Sequence, residues 1–247
     1  MPRIHVLDKN TIDNIAAGEV VDRPSSIVKE MLENAIDAKA TAVTIEIKDG
    51  GISFIRITDN GQGIEKDDIK NAFLRHATSK IKNVEDLLCA SSLGFRGEAL
   101  SSISAVTQLE CITKTPTDLT GIRYVIEGGV EKSNEEVGAP TGTTFIIRNL
   151  FYNTPARRKF LKSSTTEASY ISNIIEKIAL SHPEISIRFI ANNQNKLHTS
   201  GNNKIKEIIY SVFGREVSSN LIEIDEMAME MHLVGFIGKP IISRGNR

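Results

Sequence analysis

Three polar side chains between Pro24 and Ala38 have the spacing of a chemical site. At 100° per residue of an α-helix, Glu30, Asn34 and Asp37 fall within about 60° of one another. Val28, Met31, Leu32 and Ala35 gather on the opposite side. Asparagine prefers caps and turns to helix interiors, so an Asn one turn after a Glu calls for a reason beyond helix stability. A carboxylate suits general-base work, and an amide oxygen suits a hard cation. Taken alone, the two carboxylates read better as the solvated face of an amphipathic helix.

Three further segments add chemistry. Ile55-Arg56-Ile57-Thr58-Asp59-Asn60-Gly61-Gln62-Gly63 runs an apolar strand into an aspartate and two spaced glycines. It is either a plain strand-ending turn or a carboxylate held at a strand end, with glycines that let a flat ring approach the backbone. Gly94-Phe95-Arg96-Gly97-Glu98-Ala99-Leu100 opens onto a helix. Glycines at a helix N-terminus offer free N–H groups and the positive dipole end, which together suit a phosphate. Gly138-Ala139-Pro140-Thr141-Gly142-Thr143-Thr144 precedes an apolar run, and a threonine hydroxyl there could support Asp59 or a phosphate. Neither GxxxxGK[ST] nor GxGxxG occurs in these loops, so the two commonest nucleotide cradles do not apply.

The elements that must position these groups follow from periodicity. A helix is expected over 8–17, ended by Gly18, and another from Pro24, whose ring suits a first turn. Two alternating runs, 43–47 and 52–57, flank Asp49-Gly50 and predict a tight hairpin. A helix is expected over about 66–76, then a long loop from Ala77 to Glu98 of the length that binding lids have. Helix is expected again at about 98–105, and strands over 107–113, 122–127 and 143–148. Ser164-x-x-Glu167 matches a capping box for a helix with a stripe of Ile171, Ile174, Ile175 and Ile178. A strand over 185–191, a helix over 204–213 ended by Gly214, and two strands within 221–237 complete the pattern. Helices and antiparallel strands in this order predict an α+β fold, a two-layer sandwich.

The 247 residues carry a formal net charge of −1, so any polyanion contact must come from a local patch. The clearest is Arg157, Arg158, Lys159 and Lys162, which could instead be a solvated or ion-paired face. Cys89 and Cys111 stand outside any CxxC and no signal-peptide pattern precedes them; free thiols in a cytoplasmic or nuclear compartment are expected. No apolar run approaches the ~20 residues of a membrane span.

Taken in order, Glu30-x-x-x-Asn34, Asp59-x-Gly61-x-Gly63, Gly94-x-x-Gly97 and Gly142-Thr143-Thr144 resemble the four ATP-site motifs of the GHKL superfamily of gyrase, Hsp90, histidine kinases and MutL. Longer segments narrow the likeness. IAAGEVV at 15–21, RHATSK at 75–80, GFRGEAL at 94–100 and LFYNTPARRKFL at 150–161 look like the MutL mismatch-repair family.

The resemblance implies an ATPase that uses ATP and Mg²⁺. Glu30 would orient and deprotonate the attacking water, and Asn34 would hold the metal. Asp59 would read the adenine amino group with help from Gly63 and Thr143. Thr78, Ser79 and Lys80, with Gly94, Phe95, Arg96, Gly97, Glu98, Ala99 and Leu100, would form the lid and bind phosphates. Asp37 is expected to hydrogen-bond within the pocket wall. It further implies partners: weak, non-specific DNA through the basic cluster, other mismatch-repair proteins, and a second copy in an ATP-dependent homodimer of the full-length protein. The expected organisation is an ATPase domain over 1–203, then a linker helix and the first strands of a second domain, resembling a ribosomal-protein domain, over 204–247. In the family that second domain sends a lysine to the γ-phosphate. No segment after Leu221 resembles its motif, so a monomer with slow turnover is expected. A different GHKL enzyme, or a binding switch with little turnover, are the alternatives.

Overall fold

The computed structural model describes residues 6, 8–80, 97–229 and 231–243. Its centre is an eight-stranded sheet in the order β5-β4-β3-β6-β2-β1-β7-β8. The strands are β1 (Ala42–Lys48), β2 (Phe54–Asp59), β3 (Gln108–Lys114), β4 (Gly121–Glu127), β5 (Val130–Val137), β6 (Gly142–Arg148), β7 (Ser186–Ala191) and β8 (Gln194–His198). All neighbours are antiparallel except β1 and β7, which pair in parallel.

Strand alternation decides which face is covered. Ile45 and Ile47 on β1, Ile55 and Ile57 on β2, Leu109 and Cys111 on β3, Phe145 and Ile147 on β6, and Ile187 and Phe189 on β7 are all buried. Their neighbours carry charge: Glu110 pairs with Arg123 at 2.6 Å and with Arg148 at 3.3 Å on the other face. The helices form the second layer. These are α1 (Lys9–Val20), α2 (Pro24–Asp37), the short α3 (Ile69–Ala72), α4 (Ala99–Val106), the short α5 (Pro155–Arg158) and α6 (Ser164–Ser181). Helix α2 buries Ile27, Val28, Met31, Leu32 and Ala35 and packs against α6, α4 and β2. The expected α+β two-layer sandwich is therefore the observed one. Helix α7 (Ile205–Ser218) buries Ile208 and Ile209, and β9 (Leu221–Ala228) and β10 (Met231–Gly238) form a separate two-stranded sheet.

Several local expectations are corrected. Helix α1 does not stop at Gly18 but continues to Val20. The glycine serves close approach instead: a Cβ there would lie 2.1 Å from Nη2 of Arg157. The β1–β2 hairpin is wider than a two-residue turn, because Lys48 pairs with Phe54 and a 3₁₀ turn, Asp49–Gly51, fills part of the gap. The helix expected over 66–76 is only a 3₁₀ turn, Lys66–Asp68, leading into α3; the chain then turns, with His76 left-handed at φ 59°. Helix α6 is capped one residue earlier than expected. The Ser163 hydroxyl accepts from the Thr166 N–H at 3.3 Å, and Glu167 is buried, accepting from the Lys162 N–H at 2.9 Å. At Gly214 the helical path breaks, with φ 82° and ψ 177°, and resumes for a last turn. Strands β5 and β8 are additions to the expected set.

Candidate nucleotide cleft

The apolar columns of the sheet turn polar at one end. Asp59 follows Ile55 and Ile57 at period two, so its carboxylate must face the helix layer. Thr143 stands in the same phase as Phe145 and Ile147, and Thr113 in the phase of Leu109 and Cys111. All three are buried, with Asp59 only 8% exposed. Oδ1 of Asp59 accepts from the Gly61 N–H at 2.8 Å and the Thr143 N–H at 3.3 Å. Burial pushes the Asp59 carboxyl above the ordinary aspartate range, against the pull of those two backbone donors. The Thr143 hydroxyl lies 3.1 Å from that of Thr113, which also accepts from the Ile64 N–H at 2.9 Å.

Glycines make the close approaches possible. A Cβ on Gly142 would sit 2.2 Å from the carbonyl oxygen of Asp59, and the residue's φ of 114° favours glycine. Gly63, at φ 72°, passes so near the Lys114 carbonyl that a Cβ would lie 2.3 Å away.

Helix α2 supplies the wall beside Asp59. Glu30, Asn34 and Asp37 face a cleft of about 1410 Å³. The Lys29 ammonium donates to Glu33 at 3.0 Å and lies 3.5 Å from Glu30. Burial works against the Lys29 charge, but Glu33 and Glu30 hold its pKa above the ordinary lysine value. Lys80 crosses to the same wall. Its ammonium donates to Oδ1 of Asn34 at 3.1 Å and to Oδ2 of Asp37. The Thr78 hydroxyl accepts from the Lys80 N–H at 3.1 Å and shapes the turn that aims it.

The remaining wall is the start of α4. Gly97, at φ 63°, lies where a Cβ would meet the Ala77 carbonyl at 2.5 Å, so the described ends on either side of 81–96 meet beside the cleft. Glu98 is the N-terminal flanking residue of α4 and stands 3.3 Å from Nδ1 of His76.

Glu30, Asn34, Asp59, Gly63, Thr78, Ser79, Lys80, Gly97, Glu98, Ala99, Leu100 and Thr143, from five separate stretches of chain, thus all line one cleft. Gly94, Phe95, Arg96 and Cys89 lie outside the described residues. Sequence reasoning passed over Thr113, although the phase of Leu109 and Cys111 places it on the buried face. Asp37, expected to hydrogen-bond within the pocket wall, does so by accepting from Lys80.

Outside the cleft, Arg157 is not part of a free basic surface. Its Nη2 donates to the Ile15 carbonyl at 3.1 Å, which ties the segment after β6 to α1, while Arg158, Lys159 and Lys162 are exposed. Among the described residues no group of three or more His, Cys, Asp or Glu side chains is arranged to hold a metal, and no helix is long and apolar enough to cross a membrane. Cys111 is a free, buried thiol whose pKa burial pushes up strongly.

A family described as histidine kinase-, DNA gyrase B-, and HSP90-like ATPase matches residues 23–147. The chain is 66% identical over 247 residues to the DNA mismatch repair protein MutL of Agathobacter rectalis, all of this chain and 38% of that protein. It is 46% identical to the MutL protein of Clostridium botulinum, of which it spans 37%. The structure of the Aquifex aeolicus MutL ATPase domain complexed with ADP superposes with a TM-score of 0.67 at 31% identity, over 84% of this chain and 73% of that one. The chain spans well under half the length of these curated relatives. With its cleft built on the α2 wall, the Asp59 strand end and the start of α4, the chain belongs to the histidine kinase-, DNA gyrase B- and HSP90-like ATPase family, and within it to the ATPase region of the MutL proteins.

Proposed function

We propose that this chain is the Mg²⁺-dependent, ATP-binding and ATP-hydrolysing module of a MutL-type mismatch-repair protein. The observation that carries the reading is the convergence of Glu30, Asn34, Asp59, Lys80, Thr143 and the start of α4 on one cleft, with a buried carboxylate among its lining groups. The ADP held by the Aquifex aeolicus relative supports it. Asp59 accepts a hydrogen bond from the adenine amino group, and Gly61, Gly63 and Gly142 let the chain pack closely around that carboxylate, where a Cβ would meet the backbone of Ala38, Lys114 or Asp59. Glu30 positions a water and takes its proton. Thr78, Ser79, Lys80 and the 94–100 segment donate to phosphates.

The cleft is lined by eight carboxylate residues against three lysines, a poor match for a polyphosphate unless a cation comes with it. Asn34 and Asp37 already hold a cationic group, the Lys80 ammonium, so the donor set fits a hard metal. When bound, Mg²⁺ neutralises charge on the phosphate oxygens. Calorimetric titration with ADP and with a non-hydrolysable ATP analogue, each with Mg²⁺, tests the reading; no heat of binding from either would overturn it. Steady-state turnover separates an enzyme from a binding switch.

For the whole protein we propose ATP-driven lid closure and homodimerisation that pass mismatch recognition to other repair proteins. A monomer with slow turnover is proposed for these 247 residues. The proposed division falls between 203 and 204; the separate β9–β10 sheet supports a second unit from 221, while α7 packs Ile208 into the core of the first. Weak DNA contact is proposed for Arg158, Lys159 and Lys162. Reversing two of these charges is expected to flatten the salt dependence of DNA binding; an unchanged slope would move the DNA site elsewhere.

A further inference from the structure

The Lys80 ammonium lies between two oxygen donors of different kinds, the Asn34 amide and the Asp37 carboxylate, at 3.1 Å from the first. Amide and carboxylate oxygens at one point are hard-cation ligands. Both come from one face of α2, which their i, i+3 spacing guarantees. Lys80 has only 22% of its side chain exposed and Asp37 only 14%, so the pair is largely shielded from bulk water. The backbone turn closed by the Thr78 hydroxyl fixes where the lysine starts.

We propose that Lys80 is a tethered counter-ion occupying a cation subsite formed by Asn34 and Asp37, so that metal–nucleotide loading must displace its ammonium group. Asp37 is thereby a second metal-positioning residue beside Asn34. The proposal rests on the nucleotide reading above for the identity of the incoming ligand, but not for the subsite itself.

Two consequences follow from the charges. With no ligand, the ammonium offsets the Asp37 charge in a cleft already rich in carboxylates. When a divalent cation takes the subsite, the released ammonium is three residues or fewer from Thr78 and Ser79, beside the N-terminus of α4, where phosphates are expected. One displacement therefore exchanges a monovalent for a divalent charge at α2 and frees a donor for the phosphates. Apparent metal affinity is reduced by the fraction of molecules in which the lysine stands in the subsite.

The test is a titration with Mn²⁺ alone, reading the free ion by electron paramagnetic resonance, on the 247-residue chain. Lys80→Met is expected to tighten Mn²⁺ binding several-fold, and about tenfold where the lysine fills the subsite nine-tenths of the time. Lys80→Gln should do the same. Adding Asp37→Asn to Lys80→Met should remove the gain. Lys39→Met, which takes one positive charge from the cleft lining without touching the pair, should stay within about twofold of the parent. Unchanged or weaker Mn²⁺ binding in both Lys80 variants overturns the proposal. So does no binding by any variant, or a gain from Lys39→Met equal to that from Lys80→Met. ADP titrated alongside reports on the nucleotide reading separately: a Mn²⁺ gain with no ADP binding keeps the subsite and removes the nucleotide.

Discussion

The Thr143 N–H reaches across two adjacent strands to Oδ1 of Asp59, 84 residues earlier in the chain. With the Gly61 N–H it occupies one oxygen of a carboxylate that lines the cleft. Asp59→Asn keeps an Oδ1 acceptor for both backbone donors, yet can present an NH₂ where the adenine amino group would donate. ATP affinity should fall by about 1.5–3 kcal/mol, the cost of losing a hydrogen bond to a charged group. GTP, which carries a carbonyl at that ring position, should lose less. Competition calorimetry with the two nucleotides checks this, and equal losses would argue against base reading by Asp59.

The same substitution should stabilise the empty protein. Burial raises the Asp59 pKa above 3.8, so between that value and the raised one the folded chain binds more protons than the unfolded chain. Stability from this group is therefore present at low pH and lost as pH climbs through the folded pKa. Above it the buried charge is a standing cost that Asp59→Asn removes. The variant's melting temperature should exceed the parent's at pH 7, and the gap should close as pH falls toward 4. Glu110 runs the other way: burial opposes its charge, but Arg123 and Arg148 hold its carboxyl below the usual range. It is common to both proteins and cancels in the difference. A constant gap across the range would show that Asp59 is not the titrating group.

Glu30→Ala should leave nucleotide affinity within a few-fold of the parent and reduce turnover by about 10²–10⁴, the usual effect of losing a positioned base. Lys29 remains anchored to Glu33 in the variant, so the wall of α2 keeps its shape. Single-turnover ATPase measurements on the full-length protein, with calorimetry for affinity, separate the two effects. Turnover equal to the parent's would remove Glu30 from the chemistry.

Gly18 and Arg157 should couple. A methyl at 18 would collide with the guanidinium and drive it off the Ile15 carbonyl. Gly18→Ala and Arg157→Ala should each destabilise by about 1–3 kcal/mol, from overpacking and from a lost charged hydrogen bond respectively. In the double variant the clash has no partner, so the combined loss should be clearly less than additive. Urea unfolding of the four proteins measures the cycle, and simple additivity would mean the two residues act independently.

Much of the site was legible because its residues obey periodicities. The 3.6-residue period put Glu30, Asn34 and Asp37 on one wall, and the two-residue period aimed Asp59. The strands that escaped notice, β5 and β8, are the two edges of the sheet. In Val130–Val137 nearly every side chain is exposed, and in Gln194–His198 only Leu197 is buried. An edge strand pairs through its backbone and leaves little trace in apolar alternation. Gly18 misled for a related reason. A glycine near a helix end usually signals a stop, and only the tertiary position of Arg157, 139 residues later, shows that it marks a contact instead. The Lys80 bridge was illegible because nothing local in RHATSK says which wall the ammonium will reach.

The order of strands also sets an order of assembly. A ribosome releases α2 and the β1–β2 hairpin early, with Glu30, Asn34 and Asp59 already made. A lone hairpin is marginal in water, and β2 gains its other neighbour only when β6 arrives, residues 54–58 against 144–148. The outer side of β1 waits longer still, for β7, which pairs residues 42–47 with 186–191. Pairings so distant in sequence are slow to form. A ligand whose site needs Asp59 and Thr143 together has nothing to bind on the nascent hairpin. It stabilises only chains whose central strands have met, so the nucleotide pool of the cell would act on this domain's maturation as well as on its activity.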